Sequence, residues 1–182
     1  STSNSDTDTD GDGFSDELET AVGTSSTSAA ANPANTDVSN ALRELDLLSI
    51  QAKLNFTTTG KDSLTVSGEL PVTAGLNFQA EGVIFDVGGV IFGFTLDEKG
   101  AGLSGTAKFK AKFPIKNGDV LAGVAKFKLT IKNADLRDAN GNRLLQDEGM
   151  VSDQDLPNSE VAVPVSIMFN NEILINRFTG FY

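Results

Sequence analysis

Apolar residues recur at every second position through most of the chain after residue 47, and no other feature limits the fold so strongly. Leu48, Ile50, Ala52, Leu54 and Phe56 begin the pattern, and Leu64, Val66, Gly68 and Leu70 resume it after Gly60-Lys61. Val83, Phe85 and Val87 lead into Gly88-Gly89, followed by Val90, Phe92, Phe94 and Leu96. Ala107, Phe109, Ala111 and Phe113 alternate with Lys108, Lys110 and Lys112. Ala125, Phe127, Leu129 and Ile131 alternate with Lys126, Lys128 and Lys132. The last pair spans 161–169 and 173–182, joined near Asn170-Asn171. A period of two puts successive side chains on opposite faces of a strand. A Gly-Gly step between two such runs signals a hairpin, because both residues tolerate positive φ. Seven or eight strands with a turn every 8 to 14 residues or so predict an all-β fold, an antiparallel Ig-like β-sandwich with one wet face per sheet. The Phe residues fall mostly on inward positions and are assigned to its core. Residues 41–46 fit either a helical turn or the start of a strand, and 144–150 fit a short helical turn.

A second feature precedes this body. Residues 8–19 read Asp-Thr-Asp-Gly-Asp-Gly-Phe-Ser-Asp-Glu-Leu-Glu, which fits a calcium loop with acids at positions 1, 3 and 5, Gly at 6 and Glu at 12. Asp8, Asp10 and Asp12 offer carboxylate oxygens, Phe14 its backbone carbonyl, Asp16 a ligand at position 9, often through water, and Glu19 two closing oxygens. Calcium suits this set because it is a hard cation that takes six to eight oxygens. A register starting at Asp6 also places acids at 1, 3 and 5, Gly11 at 6 and Glu17 at 12, but it leaves Phe14 where an oxygen donor is wanted. Residues 1–7 carry no apolar face, so no entering helix is expected. A short exit helix is predicted over 15–22, with Leu18 and Val22 on one face and Gly23 ending it.

A single EF-hand-like loop with only an exit helix resembles the thrombospondin type 3 calcium repeats of bacterial secreted and surface proteins. The likeness covers about residues 6–25 and rests on the phrase DTDGDGFSDELE and the Gly23-Thr24 step. It implies extracellular calcium binding with a stiffening or spacing role and no catalysis. The body, about residues 45–182, resembles a β-sandwich domain of large bacterial secreted proteins through SLTVSGELPVTAGLNF, FDVGGVIFGFTLDEKGAG, and DEGM followed by VAVPVSIMFNNE. That resemblance carries over no catalytic residues. The implied organisation is a calcium loop with its exit helix over 1–23, a linker over 24–40 and a β-sandwich over 41–182.

Charge is placed unevenly. Residues 1–42 hold eight Asp or Glu and no Lys or Arg, whereas residues 43–182 hold seventeen acids and fourteen bases, so the −11 of the chain divides into −8 and −3. An acidic extension on a nearly balanced body does not suit nucleic acid, whose backbone needs a net basic surface. The chain has no Cys and no His, so the common nucleophile–base pairs cannot form and no enzymatic activity is expected. The paired acids Asp97-Glu98 and Asp147-Glu148 fall in predicted loops, where solvated carboxylates are ordinary. No apolar run approaches the ~18 residues of a membrane helix. Ser1 opens the chain without Met, and any secretory signal is expected to have been removed. Asp138-Ala-Asn-Gly-Asn142 reads as an Asx-type turn, and the sequon Asn55-Phe-Thr57 is placed within a strand.

Lys108, Lys110, Lys112, Lys126, Lys128 and Lys132 form a basic ribbon if their two strands pair, and Asp119 is the only acid between Ser104 and Ala134. Like charges on neighbouring strands cost stability and invite a partner; a solvated face that blocks edge-to-edge aggregation is the plainer reading. The expected function is a secreted, calcium-binding structural protein of the cell surface or extracellular matrix that self-assembles into filaments, its partners other copies of itself. An ordered acidic tail docked on a neighbouring copy is one route to assembly. The alternative is a non-catalytic binding module for carbohydrate or an anionic polymer, with anionic polysaccharide as a further partner.

Overall fold

The computed structural model describes residues 8–12, 14–33, 41–55, 57–79, 81–136, 145, 160–170 and 172–181. One helix, α1 (Asp16–Val22), precedes β1 (Ala41–Glu44), β2 (Asp46–Lys53), β3 (Asp62–Val72) and β4 (Gly82–Val87). There follow β5 (Val90–Thr95), β6 (Ala101–Ser104), β7 (Ala107–Lys112), β8 (Ile115–Lys116), β9 (Asp119–Val120), β10 (Gly123–Ala134), β11 (Glu160–Phe169) and β12 (Glu172–Phe181). The chain is all-β. One five-stranded sheet, sheet A, runs β1-β12-β11-β4-β5, a second, sheet B, runs β2-β3-β10-β7-β6, and β8-β9 form a small ribbon. Every pairing is antiparallel except β1 with β12, the first strand beside the last, which is parallel.

The alternation in the sequence builds the core. Val83, Phe85 and Val87 of β4 and Val163, Val165, Ile167 and Phe169 of β11 point inward from sheet A. Leu64, Val66, Leu70, Phe109, Phe127, Leu129 and Ile131 point inward from sheet B, and all share one hydrophobic cluster. Phenylalanines close the gap between sheets: Phe85 meets Phe127 edge-on at 5.7 Å between ring centroids, and Phe94 meets Phe109 at 5.5 Å. Gly68 leaves room for this layer, because a Cβ there would fall 2.7 Å from the Phe127 ring. The β4–β5 hairpin turns through Gly88 and Gly89, both at positive φ (53° and 82°), as the Gly-Gly step predicts.

Several expectations need correction. Of the two readings open for residues 41–46, the strand is the one that 41–44 adopt. Leu48 is 56% exposed, because the β2–β3 register slips between Leu47 and Ser49. Such a bulge moves the following residues to the other face, so Leu47 and Ile50 pack on the core and Leu48 points out. The chain also has more strands than the seven or eight expected, since β1, β6, β8 and β9 are too short to show a period. Asn55 and Thr57 lie in the turn after β2, not in a strand: Thr57 Oγ1 donates to Asn55 Oδ1 at 2.8 Å. Asp138-Asn142 and Asp147-Glu148 lie outside the described residues, as does the segment 144–150 apart from Leu145, which is buried. Among the described residues no helix is long and apolar enough to cross a membrane.

Candidate metal centre

The acidic segment folds back on itself through its own side chains. Asp8 Oδ1 accepts from the backbone N–H of Gly11 (2.9 Å) and of Asp12 (3.1 Å), and Asp12 Oδ1 accepts from Phe14 N–H (3.0 Å). These are Asx-type bonds, the use to which a short carboxylate side chain is suited. They coil the backbone so that carboxylate oxygens of Asp8, Asp10 and Asp12 lie within 4.8 Å of one another, a group that can hold a metal ion.

Helix α1 brings the next acid to the same place. Ser15 caps it, its Oγ accepting from Leu18 N–H at 3.1 Å. Gly23, at φ 81°, ends it in the left-handed conformation, and its N–H and that of Thr24 close on the carbonyls of Thr20 and Glu19. Between these caps Glu19 is fully buried. Burial, reinforced by the charges of Asp12, Asp10 and Asp16, pushes its carboxyl up to about 7. Asp12 is also raised, by burial first, with Asp10 and Asp8 adding repulsion. Three buried oxygens here have no hydrogen-bond partner: Asp10 Oδ2, Asp12 Oδ2 and Glu19 Oε2. Buried polar atoms are nearly always satisfied, so three orphaned acceptors at one place, all anionic or nearly so, match the donor set of a hard cation.

The predicted ligands thus divide. Asp8, Asp10 and Asp12 gather in one group, and Glu19 lies near enough to feel the charges of Asp12 and Asp10. Asp16 accepts from Thr9 through both oxygens, from N–H at 2.9 Å and from Oγ1 at 2.6 Å, which ties the start of the loop to the start of the helix. Asp6 and Gly13 lie outside the described residues. Residues after the helix also matter: Asn32 hydrogen-bonds the Asp12 carboxylate, carried back to the loop by turns in which Ala31 N–H donates to Ser28 O and Ser25 N–H to Ala31 O. The sequence reading treats residues 24–40 as a plain linker and assigns Asn32 nothing.

The largest departure concerns where the loop sits. Phe14, expected only to offer a carbonyl, is 2% exposed, and Leu18 is fully buried. Both pack with Ile173 and against Ile84, Ile91, Met168 and Ile175, forming a second apolar cluster on the outer face of sheet A. Two cross-strand rows build that face: Ile91–Asp86–Ser166–Ile175 and Gly93–Ile84–Met168–Ile173. Asp86, 1% exposed in the first row, accepts from Ser15 Oγ at 2.8 Å, from Gly89 N–H at 3.0 Å and from Ser166 Oγ at 3.4 Å. The helix cap is therefore bolted to β4 by one buried carboxylate. The signal in the sequence was the apolar residues at positions that alternation assigns to solvent, with an acid among them. No protein-family model matches the chain, and no curated protein matches it significantly, so the chemistry of the site is read from its own residues.

Proposed function

We propose that the loop 8–19 binds calcium and that the ion fastens the N-terminal segment to sheet A, making this a calcium-stapled, non-catalytic structural module. The observation that carries the reading is the set of three buried, unpartnered carboxylate oxygens on Asp10, Asp12 and Glu19. Without a cation the site holds buried, mutually repelling acids, and the raised Glu19 and Asp12 carboxyls express first the burial and then the repulsion. With calcium the same oxygens become ligands and their repulsion becomes attraction. Asp8 supplies the third loop carboxylate, and Phe14 O and Asp16, directly or through water, complete a coordination number suited to calcium.

On this reading the fold is an Ig-like β-sandwich with an EF-hand-like loop clasped to one sheet. The partition of strands supports the Ig-like part, since the first strand lies beside the last in one sheet and the second strand beside the third in the other. Millimolar calcium outside cells would keep such a site filled, which suits a secreted or cell-surface protein and its self-assembly into filaments. The docked loop favours a stiffening role within one chain over a free tail that reaches a neighbour.

The test is calorimetric titration of the chelator-treated chain with calcium and then magnesium, together with thermal unfolding at each end point. One calcium bound per chain with a raised Tm, lost in Glu19→Gln, supports the proposal. No heat and no change in Tm sinks it, and tighter binding of magnesium reassigns the ion.

A further inference from the structure

The outer face of sheet B has the opposite character to that of sheet A. β10 pairs with both β3 and β7, and its lysines meet lysines: Lys126 stands opposite Lys112, and Lys128 opposite Lys110, with Lys108 opposite Thr130. All five lysines are exposed. Lys126 has one ion pair, to Glu69 at 3.8 Å; the other four have none among the described residues. Directly opposed like charges are destabilising, and among the described residues only Glu69, beside Lys126, and Asp97, whose carboxylate feels Lys110, offset them.

The ladder leads into a cleft. Past Thr130, Lys132 joins Lys53 and Lys61 around a hollow of about 540 Å³, also lined by Leu54, Asn55, Ser63 and Asn133, with no acid among the described residues that line it. From Lys126 to Lys132 the strand covers about 20 Å, at roughly 3.4 Å per residue. The polar residues beside the lysines are hydroxyls and amides: Thr65 and Ser67 on β3, opposite Thr130 and Lys128, then Ser49 and Gln51 on β2.

We propose that this track binds an extended anionic polysaccharide, its carboxylates or sulfates on the lysine ladder and cleft and its hydroxyls on the Ser, Thr and Gln rows. Charge complementarity sets the sign of the partner, and the composition of the face sets its class. A protein partner would want an apolar or aromatic centre, and Lys is depleted from such centres; the exposed apolar residues of this face, Leu48 on β2, Leu103 on β6 and Val124 at the start of β10, stand at its margins and form no such centre. Nucleic acid would want Arg or stacking aromatics, and no aromatic or Arg interrupts the ladder. The acidic segment of another copy is a poor occupant, because the carboxylates of Asp8, Asp10 and Asp12 lie within 4.8 Å of one another in their own site and Glu19 is buried. The track lies across the core from the calcium loop, so neither site needs the other.

Heparin, which carries both carboxylates and sulfates, is the probe, with the full calcium-loaded chain immobilised and salt stepped upward. Poly-glutamate and single-stranded oligo-dT of matched charge are the comparisons. Heparin is expected to bind, to be released by moderate salt, and to exceed both comparisons. Lys110→Gln with Lys128→Gln should weaken it about tenfold or more, and Lys128→Gln alone should weaken it more than Lys116→Gln, which removes the same charge from the β8–β9 ribbon. Unchanged thermal unfolding of the variants separates lost binding from lost folding. No heparin binding overturns the proposal. Equal loss in Lys116→Gln reduces the effect to net charge and overturns the track. Stronger binding of poly-glutamate or oligo-dT overturns the assigned class.

Discussion

The two outer faces of this molecule come from sheets of equal size and opposite fate. On sheet A the outward positions hold Ile84, Ile91, Met168, Ile173 and Ile175 with the buried Asp86, and the loop and α1 cover them. On sheet B they hold mostly lysines, serines and threonines, with Leu48, Leu103 and Val124 exposed at the margins, and nothing in the described chain covers them. Strand alternation alone says that one face is dry and leaves the other to solvent. The residues that occupy the second face decide whether it is a surface or a second interior, and here the acidic segment supplies the cover.

The comparison breaks most visibly if the cover is removed. Phe14→Ala takes a buried ring from the cluster on sheet A and should cost about 3 to 5 kcal/mol; denaturant unfolding and hydrogen exchange along α1 measure it. A cost under about 1 kcal/mol would mean that the loop rests on the sheet without being held there. Truncating Asp86 to Ala leaves Ser15 Oγ, Gly89 N–H and Ser166 Oγ without their acceptor, and should cost about 1 to 3 kcal/mol. Its signature is faster exchange in α1 as well as in β4, which a purely local defect would not produce.

Acid sharpens the same comparison, because the titrating groups sit under the cover of one face only. In the folded, metal-free chain Glu19 titrates at about 7, above its ordinary 4.5, and Asp12 is raised too. The folded state therefore binds more protons than the unfolded one. The stability this contributes is fully present below about 4.5 and is lost as pH rises through about 7. With chelator present, Tm at pH 5 should exceed Tm at pH 8, and Glu19→Gln should narrow that gap. Calcium should reverse the order, since its ligands must be deprotonated. A Tm in chelator that rises with pH would show that these acids are not buried together.

The smallest effect is expected on the bare face. Replacing Lys128 by Thr relieves the opposition to Lys110 and adds a good strand former, for a gain of about 0.2 to 1 kcal/mol. A loss of stability there would mean that the lysine stems pack as they stand.

Much of the framework was legible in the chain. The inward rows of β3, β7 and β10 follow the period of two, and the Gly88-Gly89 hairpin and the Ser15 and Gly23 caps fall where local chemistry puts them. The two lysine strands do pair, a condition that the sequence left open. β2 was misread at Leu48 because a bulge adds a residue that no periodicity announces. At the site, the spacing picked out Asp8, Asp10 and Asp12, which the fold brings together as a group that can hold a metal ion, since all three come from one short segment. Asn32 and Asp86 were missed because they reach the site or its anchor from elsewhere in the chain.

The sequence by itself determined the longer strands, most of their apolar inner faces and a set of acids suited to a cation, because each depends on residues a few positions apart. Only the tertiary structure decided that the acidic segment lies on its own body. That contact joins Ser15 to Asp86, 71 residues away. It arises because two surplus apolar surfaces, Phe14 and Leu18 on one side and the isoleucines of sheet A on the other, leave water together. Hydrophobic attraction has no direction and no sequence register, so the chain could name both surfaces without naming them as partners.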